Sequence, residues 1–193
     1  MRRTLFHLLV ALQVLFLLGQ AARVEMAISR ATVVTLKVVP IDPRSLFMGN
    51  YMALNLDIMR LDMSKVRHDK AVESLNYGDT VYVELAAGCP YARALSVSTT
   101  RPSGLYLKGR MEYLLHAEVL GPEGGTEQGP PREMVVDYGL DRYFIPESRQ
   151  GEVEDLAVPR HGKTPEIAVE VAVTSTGKSF LRRVLVDGKP LPY

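Results

Sequence analysis

Beyond the first thirty or so residues, apolar and polar positions alternate with a period of two. Val34, Leu36 and Val38 alternate with Thr35 and Lys37, and Met52, Leu54, Leu56 and Ile58 with Tyr51, Ala53, Asn55 and Asp57. Val81, Val83 and Leu85 alternate with Tyr82 and Glu84. Tyr113, Leu115, Ala117 and Val119 alternate with Glu112, His116 and Glu118, and Ile167, Val169, Val171 and Val173 with Glu166, Ala168, Glu170 and Ala172. This is the pattern of antiparallel strands with one buried and one wet face. Weaker strand signals lie at Ala94–Ser98, Leu105–Leu107, Met134–Asp137 and Phe180–Val186. Turn residues separate them: Asn76-Tyr77-Gly78-Asp79, Gly88-Cys89-Pro90, Arg101-Pro102-Ser103-Gly104 and Ser175-Thr176-Gly177-Lys178. Gly121 to Pro131 reads as a long loop. Two short helices are expected, one over Asp62–Ser74 and one around Glu152–Leu156. About eight or more short strands predict a mainly β fold, an antiparallel sandwich or a partly open barrel.

The N-terminus follows a different rule. Arg2 and Arg3 precede an apolar run from Leu5 to Leu18, interrupted only by His7 and Gln13, and charge returns at Arg23 and Glu25. A transmembrane helix needs about 20 apolar residues, and residues 4–22 supply them. A signal peptide also fits, with Gly19 and Ala21 before a cleavage point. Arg2 and Arg3 predict a cytosolic N-terminus under either reading. Residues 1–24 are therefore expected to be a membrane anchor or signal peptide, and residues 25–193 an extracytoplasmic β-rich domain.

Composition narrows the function. About 170 residues remain after the anchor, enough for one domain with a core. The 23 basic and 22 acidic residues leave a net charge of +1 without a basic patch, so nucleic acid is not an expected partner. Cys89 is the single cysteine, which excludes an intrachain disulfide and a cysteine-based zinc cluster. It reads as a small apolar residue.

Most local motifs resolve into structure. Ala172 to Ser179 ends like a phosphate-binding loop, but Ala172 replaces the first glycine and a strand follows instead of a helix, so it reads as a hairpin turn. Glu112, His116 and Glu118 share a predicted wet face but lack a further ligand at metal spacing. His68 and His161 read as surface residues. No metal or other cofactor is expected. Two loops are stronger candidates. Asp42, Arg44, Asn50 and Tyr51 fall in the crossover between two patterned strands, where Arg44 is able to bind a carboxylate or phosphate and Gly49 permits a positive φ. Tyr143 and Glu147 lie in a second cluster, Asp141 to Glu147. There an acid serves as general acid or base only if its pKa is shifted.

Pro40-Ile41-Asp42-Pro43-Arg44, followed by Gly49-Asn50-Tyr51-Met52-Ala53-Leu54-Asn55-Leu56, resembles the signature of the bacterial GDYXXLXY proteins. Tyr143-Phe144-Ile145-Pro146-Glu147 and Asp187-Gly188-Lys189-Pro190 resemble other parts of that family. The resemblance implies an uncleaved anchor in the bacterial inner membrane and a β-rich periplasmic domain. It also implies a genetic neighbourhood of polytopic membrane proteins, one of which is the expected partner beside the membrane itself. A binding or accessory module is thus the first expectation. A membrane-tethered hydrolase or small-ligand enzyme using Asp42, Arg44 and Glu147 is the second. Asn50 stands where the family usually has Asp, and Leu56 where it has Tyr. Both changes move the motif towards structure, because Asn is no general base and Leu56 shares a face with Leu54.

Overall fold

The apolar N-terminal run folds as one helix, α1 (Arg2–Ser29), of 28 residues. At about 1.5 Å per residue it is roughly 42 Å long. It is long and apolar enough to cross a membrane, and none of its most apolar window is buried against the rest of the protein. A signal sequence shares these properties. The computed structural model describes residues 2–39, 51–86, 88, 90–120, 126–146, 148, 151 and 165–191.

The remainder is a β-layer that curls into a half-barrel. Of the two architectures open to the sequence, this is the partly open barrel. Its strands are β1 (Thr32–Lys37), β2 (Tyr51–Ala53), β3 (Arg60–Asp62), β4 (Arg67–His68), β5 (Thr80–Ala86) and β6 (Arg93–Ser98). They continue with β7 (Tyr106–Leu120), β8 (Thr126–Asp137), β9 (Arg142–Phe144), β10 (Ile167–Val173), β11 (Ser179–Val186) and β12 (Lys189–Pro190). One sheet runs β3-β8-β7-β5-β6-β4, a second runs β1-β10-β11-β12, and β2 pairs with β9 as a ribbon. All pairings are antiparallel except β4 with β6.

One apolar cluster joins the three sheets, built from Leu36, Met52, Val83, Leu107, Met134 and Val169 among others. Burial of such side chains is the main stabilising term. Backbone hydrogen bonds tie the sheets together as well. Ala92 N–H donates to Thr35 O at 2.9 Å, and Lys108 N–H to Gly177 O at 2.8 Å. Tyr138 is buried, its hydroxyl donates to Ile58 O at 3.1 Å, and burial raises its pKa.

The alternation holds in β1 and β5, where Val34, Leu36, Val81, Val83 and Leu85 are buried. It also holds from Met52 to Ile58 as burial, although the strand ends at Ala53 and Asp57–Met59 is a 3-10 turn. Elsewhere the structure corrects it. In β7 the register shifts between Met111 and Tyr113, and again on either side of His116. A bulge adds one residue, and one residue reverses the face of those that follow. Met111 is buried and Leu114 packs on the core, whereas Tyr113 and Leu115 are exposed. In β10 both faces are covered: Ala168 and Ala172 are buried, and only Glu170 reaches out, to Arg183 at 2.6 Å. Gly121 to Pro131 is not all loop, because β8 begins at Thr126 and pairs with β7 through Pro131.

The helix expected over Asp62–Ser74 does not form at its start, and only Lys70–Ser74 is helical, as a 3-10 helix. Asp62 Oδ1 instead accepts from Ser64 N–H at 3.1 Å and Ser64 Oγ at 2.6 Å, and Asp62 Oδ2 pairs with Lys65 Nζ at 2.6 Å. Such local side-chain bonds compete with helix formation. They close a turn into β4, and a 3-10 turn at Lys70–Ser74 follows. The Lys65 bond, then the Ser64 bonds, lower the Asp62 pKa from 3.8 to about 2. Because the folded value is depressed, this pairing stabilises the turn above the unfolded pKa and is lost as pH falls through about 2. A carboxyl-carbon NMR titration should place the Asp62 midpoint near 2, and Lys65→Ala should move it towards 3.8. The helix expected around residues 152–156 lies outside the described residues.

Candidate functional site

The ribbon of β2 and β9 sorts its residues by face. Directly paired residues in antiparallel strands share a face. Tyr51 is opposite Phe144, Met52 opposite Tyr143, and Ala53 opposite Arg142. Met52 is fully buried, and Tyr143 packs on the core beside it. Tyr51 and Phe144 stand on the other face with ring centroids 6.2 Å apart, and Phe144 is 73% exposed. The Arg142 guanidinium sits 5.8 Å from the centre of the Tyr51 ring and bonds Asp141 Oδ2 through Nε at 2.8 Å.

Tyr51 and Arg142 form one wall of a cleft of about 640 Å³. The opposite wall comes from the six-stranded sheet and carries Arg60, Glu112 and Asp137. Arg60 Nη1 donates to Glu133 Oε1 at 3.0 Å and to the Tyr113 hydroxyl oxygen at 3.1 Å. Asp137 Oδ1 accepts from Gly139 N–H at 2.7 Å. Glu112 stands in the first bulge of β7, which turns its side chain into the cleft instead of leaving it in line with His116 and Glu118. The volume suits a small ligand. The described lining holds two guanidiniums, three carboxylates and a tyrosine, and no histidine, cysteine or serine. This chemistry recognises charged and planar groups.

Of the residues singled out from sequence, Tyr51 lines the cleft and Tyr143 faces the core on the neighbouring strand. Asp42, Arg44, Asn50 and Glu147 lie outside the described residues, as do Cys89 and His161. His68 is half-buried on β4, its Nε2 3.7 Å from Glu73. Arg60 and Asp137 were missed in the sequence. Their one signal is a charge set directly against buried residues, Met59 and Leu61 around Arg60, and Val136 and Tyr138 around Asp137. Among the described residues no group of three His, Cys, Asp or Glu side chains is placed to hold a metal ion. The Thr174–Ser179 segment is a hairpin turn between β10 and β11. Ser175 and Lys178 have Ser-x-x-Lys spacing, but that motif needs a helical turn, and Gly177 here has φ +76°.

The family model described as GDYXXLXY protein matches residues 13–184. The chain belongs to this family. The matched span contains Tyr51, Arg142 and the whole cleft lining. No curated protein and no solved structure matches the chain. Within the described part of the family signature, Met52 and Leu56 are buried away from the cleft, and Tyr51, Ala53, Leu54 and Asn55 line it, Tyr51 with an aromatic ring.

Proposed function

We propose that this GDYXXLXY protein is an uncleaved, single-pass anchored domain that serves as a binding or accessory module for a polytopic membrane protein. Its N-terminus is cytosolic and its β domain periplasmic, on the bacterial inner membrane. The observation that carries the reading is Gln13. It lies midway along residues 4–22, so in a spanning helix its amide falls near the centre of the hydrocarbon. Among the described residues no group pairs with it. A buried amide without a partner is costly in lipid, and a helix of another membrane protein is the natural source of one. Gln13 shares a shallow groove with Leu9, Leu12 and Phe16, which frame the contact.

In gentle detergent the full chain is expected to co-purify and crosslink with a polytopic protein, and Gln13→Leu to weaken this about threefold to tenfold, the range of one interhelical hydrogen bond of about 0.6–1.5 kcal/mol. Purification alone with no crosslinked partner, or crosslinks only to a second copy, would overturn the proposal. A mature N-terminus near Ala22 would remove the anchor.

A second reading, a small-ligand enzyme or hydrolase, is favoured by the cleft. The pairing of Tyr51 with Phe144 brings the start of β2 and the end of β9 together. The segments carrying Asp42, Arg44 and Glu147 therefore attach at one end of the ribbon. A screen of small anionic ligands is expected to raise the melting temperature of the wild type but not of Arg44→Ala. No shift for the wild type would remove this reading.

A further inference from the structure

A second cleft, of about 490 Å³, opens where α1 ends. Arg30 and Thr32 form one side, Arg101, Ser103 and Tyr106 a second, and Ser175 a third. Three separate stretches of chain therefore meet at the exit of the helix. The walls are fixed. Tyr106 is buried, its hydroxyl donates to Ser175 O at 3.0 Å, and the Arg101 guanidinium rests 6.0 Å from the centre of its ring. None of the residues lining this cleft is acidic. Glu84, which packs beneath Gly104, is engaged by Ser96 Oγ at 2.8 Å. No carboxylate pairs with Arg30 or Arg101 among the described residues. Two guanidiniums and several hydroxyls around one concavity form a receptor for a phosphate oxyanion.

Position identifies the source of that phosphate. Arg30 stands roughly 12 Å beyond Ala22 at about 1.5 Å per residue. The headgroup layer is about 5–7 Å deep on each side of the hydrocarbon. The cleft thus lies just above the headgroups, within a Debye length of about 8–10 Å and within reach of a long arginine side chain. We propose that it holds the phosphate of an anionic phospholipid headgroup and so fixes the β domain against the bilayer. This rests on α1 being retained as an anchor, and not on the partner reading.

Native mass spectrometry tests it on the full chain released from vesicles of phosphatidylglycerol mixed with phosphatidylcholine. The wild type is expected to retain phosphatidylglycerol selectively. Arg101→Gln and Arg30→Gln should each lower retention about fivefold, the weight of one basic residue at an anionic surface. Lys37→Gln, exposed at the far end of β1, removes the same charge and should change nothing. High salt on the wild type should release the lipid, which tests the site even if a variant fails to fold. Retention of both lipids alike, equal loss in Lys37→Gln, or insensitivity to salt would overturn the proposal. Binding of inorganic phosphate, seen by phosphorus NMR without lipid retention, would assign the cleft to a free anion and overturn it too. A chain found cleaved near Ala22 would remove the anchor separately from these outcomes.

Discussion

Gly177→Val should cost the β domain about 2–5 kcal/mol, a large share of its stability. Gly177 closes the β10–β11 hairpin with φ +76°, a region that a β-branched residue adopts only under strain. It also lies against Tyr106, where an added Cβ would overlap the ring and come within 3.1 Å of Lys108 N. That backbone nitrogen donates to Gly177 O, and the Tyr106 hydroxyl donates to Ser175 O. The hairpin and β7 therefore have to separate if a side chain is added. Backbone strain of about 1–2 kcal/mol and overpacking of about 1–3 kcal/mol sum to roughly 2–5 kcal/mol. A domain of this kind has about 5–15 kcal/mol in total. Urea unfolding measures the loss. Gly188→Ala is the control, since Gly188 shares φ +76° but has open space around it. Its cost should stay near 1 kcal/mol, the conformational part alone. Equal losses at the two glycines would refute the crowding argument.

The same hairpin shows what was legible in the sequence. Ser175-Thr176-Gly177-Lys178 between two apolar runs announced a turn, and a missing glycine and missing helix ruled out a phosphate loop. Asp187-Gly188 is likewise a two-residue turn, with φ 48° at Asp187, joining β11 to β12. Period two was readable where a strand stays in register with one neighbour, as in β1 and β5. It misled in β7, because a bulge is decided by the partner strand and leaves no mark on the apolar pattern. It misled in β10, because alanine suits a covered face as well as a wet one. The helix expected from Asp62 failed for a local reason, as the carboxylate spends its bonds on Ser64 and Lys65. Pro130 and Pro131 read as loop residues, yet proline is tolerated in β8 there because β3 pairs with its outer side only from Glu133 onward.

The candidate site was legible only in part, for the same physical reason. Tyr51 and Arg142 lie about ninety positions apart and meet because β2 pairs with β9. Arg60 and Glu112 join them through the curl of the six-stranded sheet. Long-range pairing of this sort has no local signature. What the sequence did contain was the change at position 56. A leucine in place of the usual tyrosine, on the face of Leu54, marked that position as core, and it is 1% exposed.

Leu56→Ala should therefore cost about 2–5 kcal/mol, as large-to-small changes in packed cores do. Leu56 bridges to Val38, and its carbonyl accepts from Met59 N–H at 2.9 Å, so it sits where β1, the 3-10 turn and the ribbon converge. Tyr51, five positions earlier in the same signature, should behave differently. Tyr51→Ala gives up a ring pair with Phe144 and a stacked guanidinium, together about 1–2 kcal/mol. The core is left intact. Urea unfolding of the two variants separates a core position of the signature, Leu56, from one presented to the cleft, Tyr51. Equal destabilisation would make Tyr51 a core residue and leave the cleft without its aromatic wall as a recognition element. A small loss at Tyr51, with a large one at Leu56, would mean that the signature holds the crossover strand in place so that one tyrosine can face a ligand or a partner.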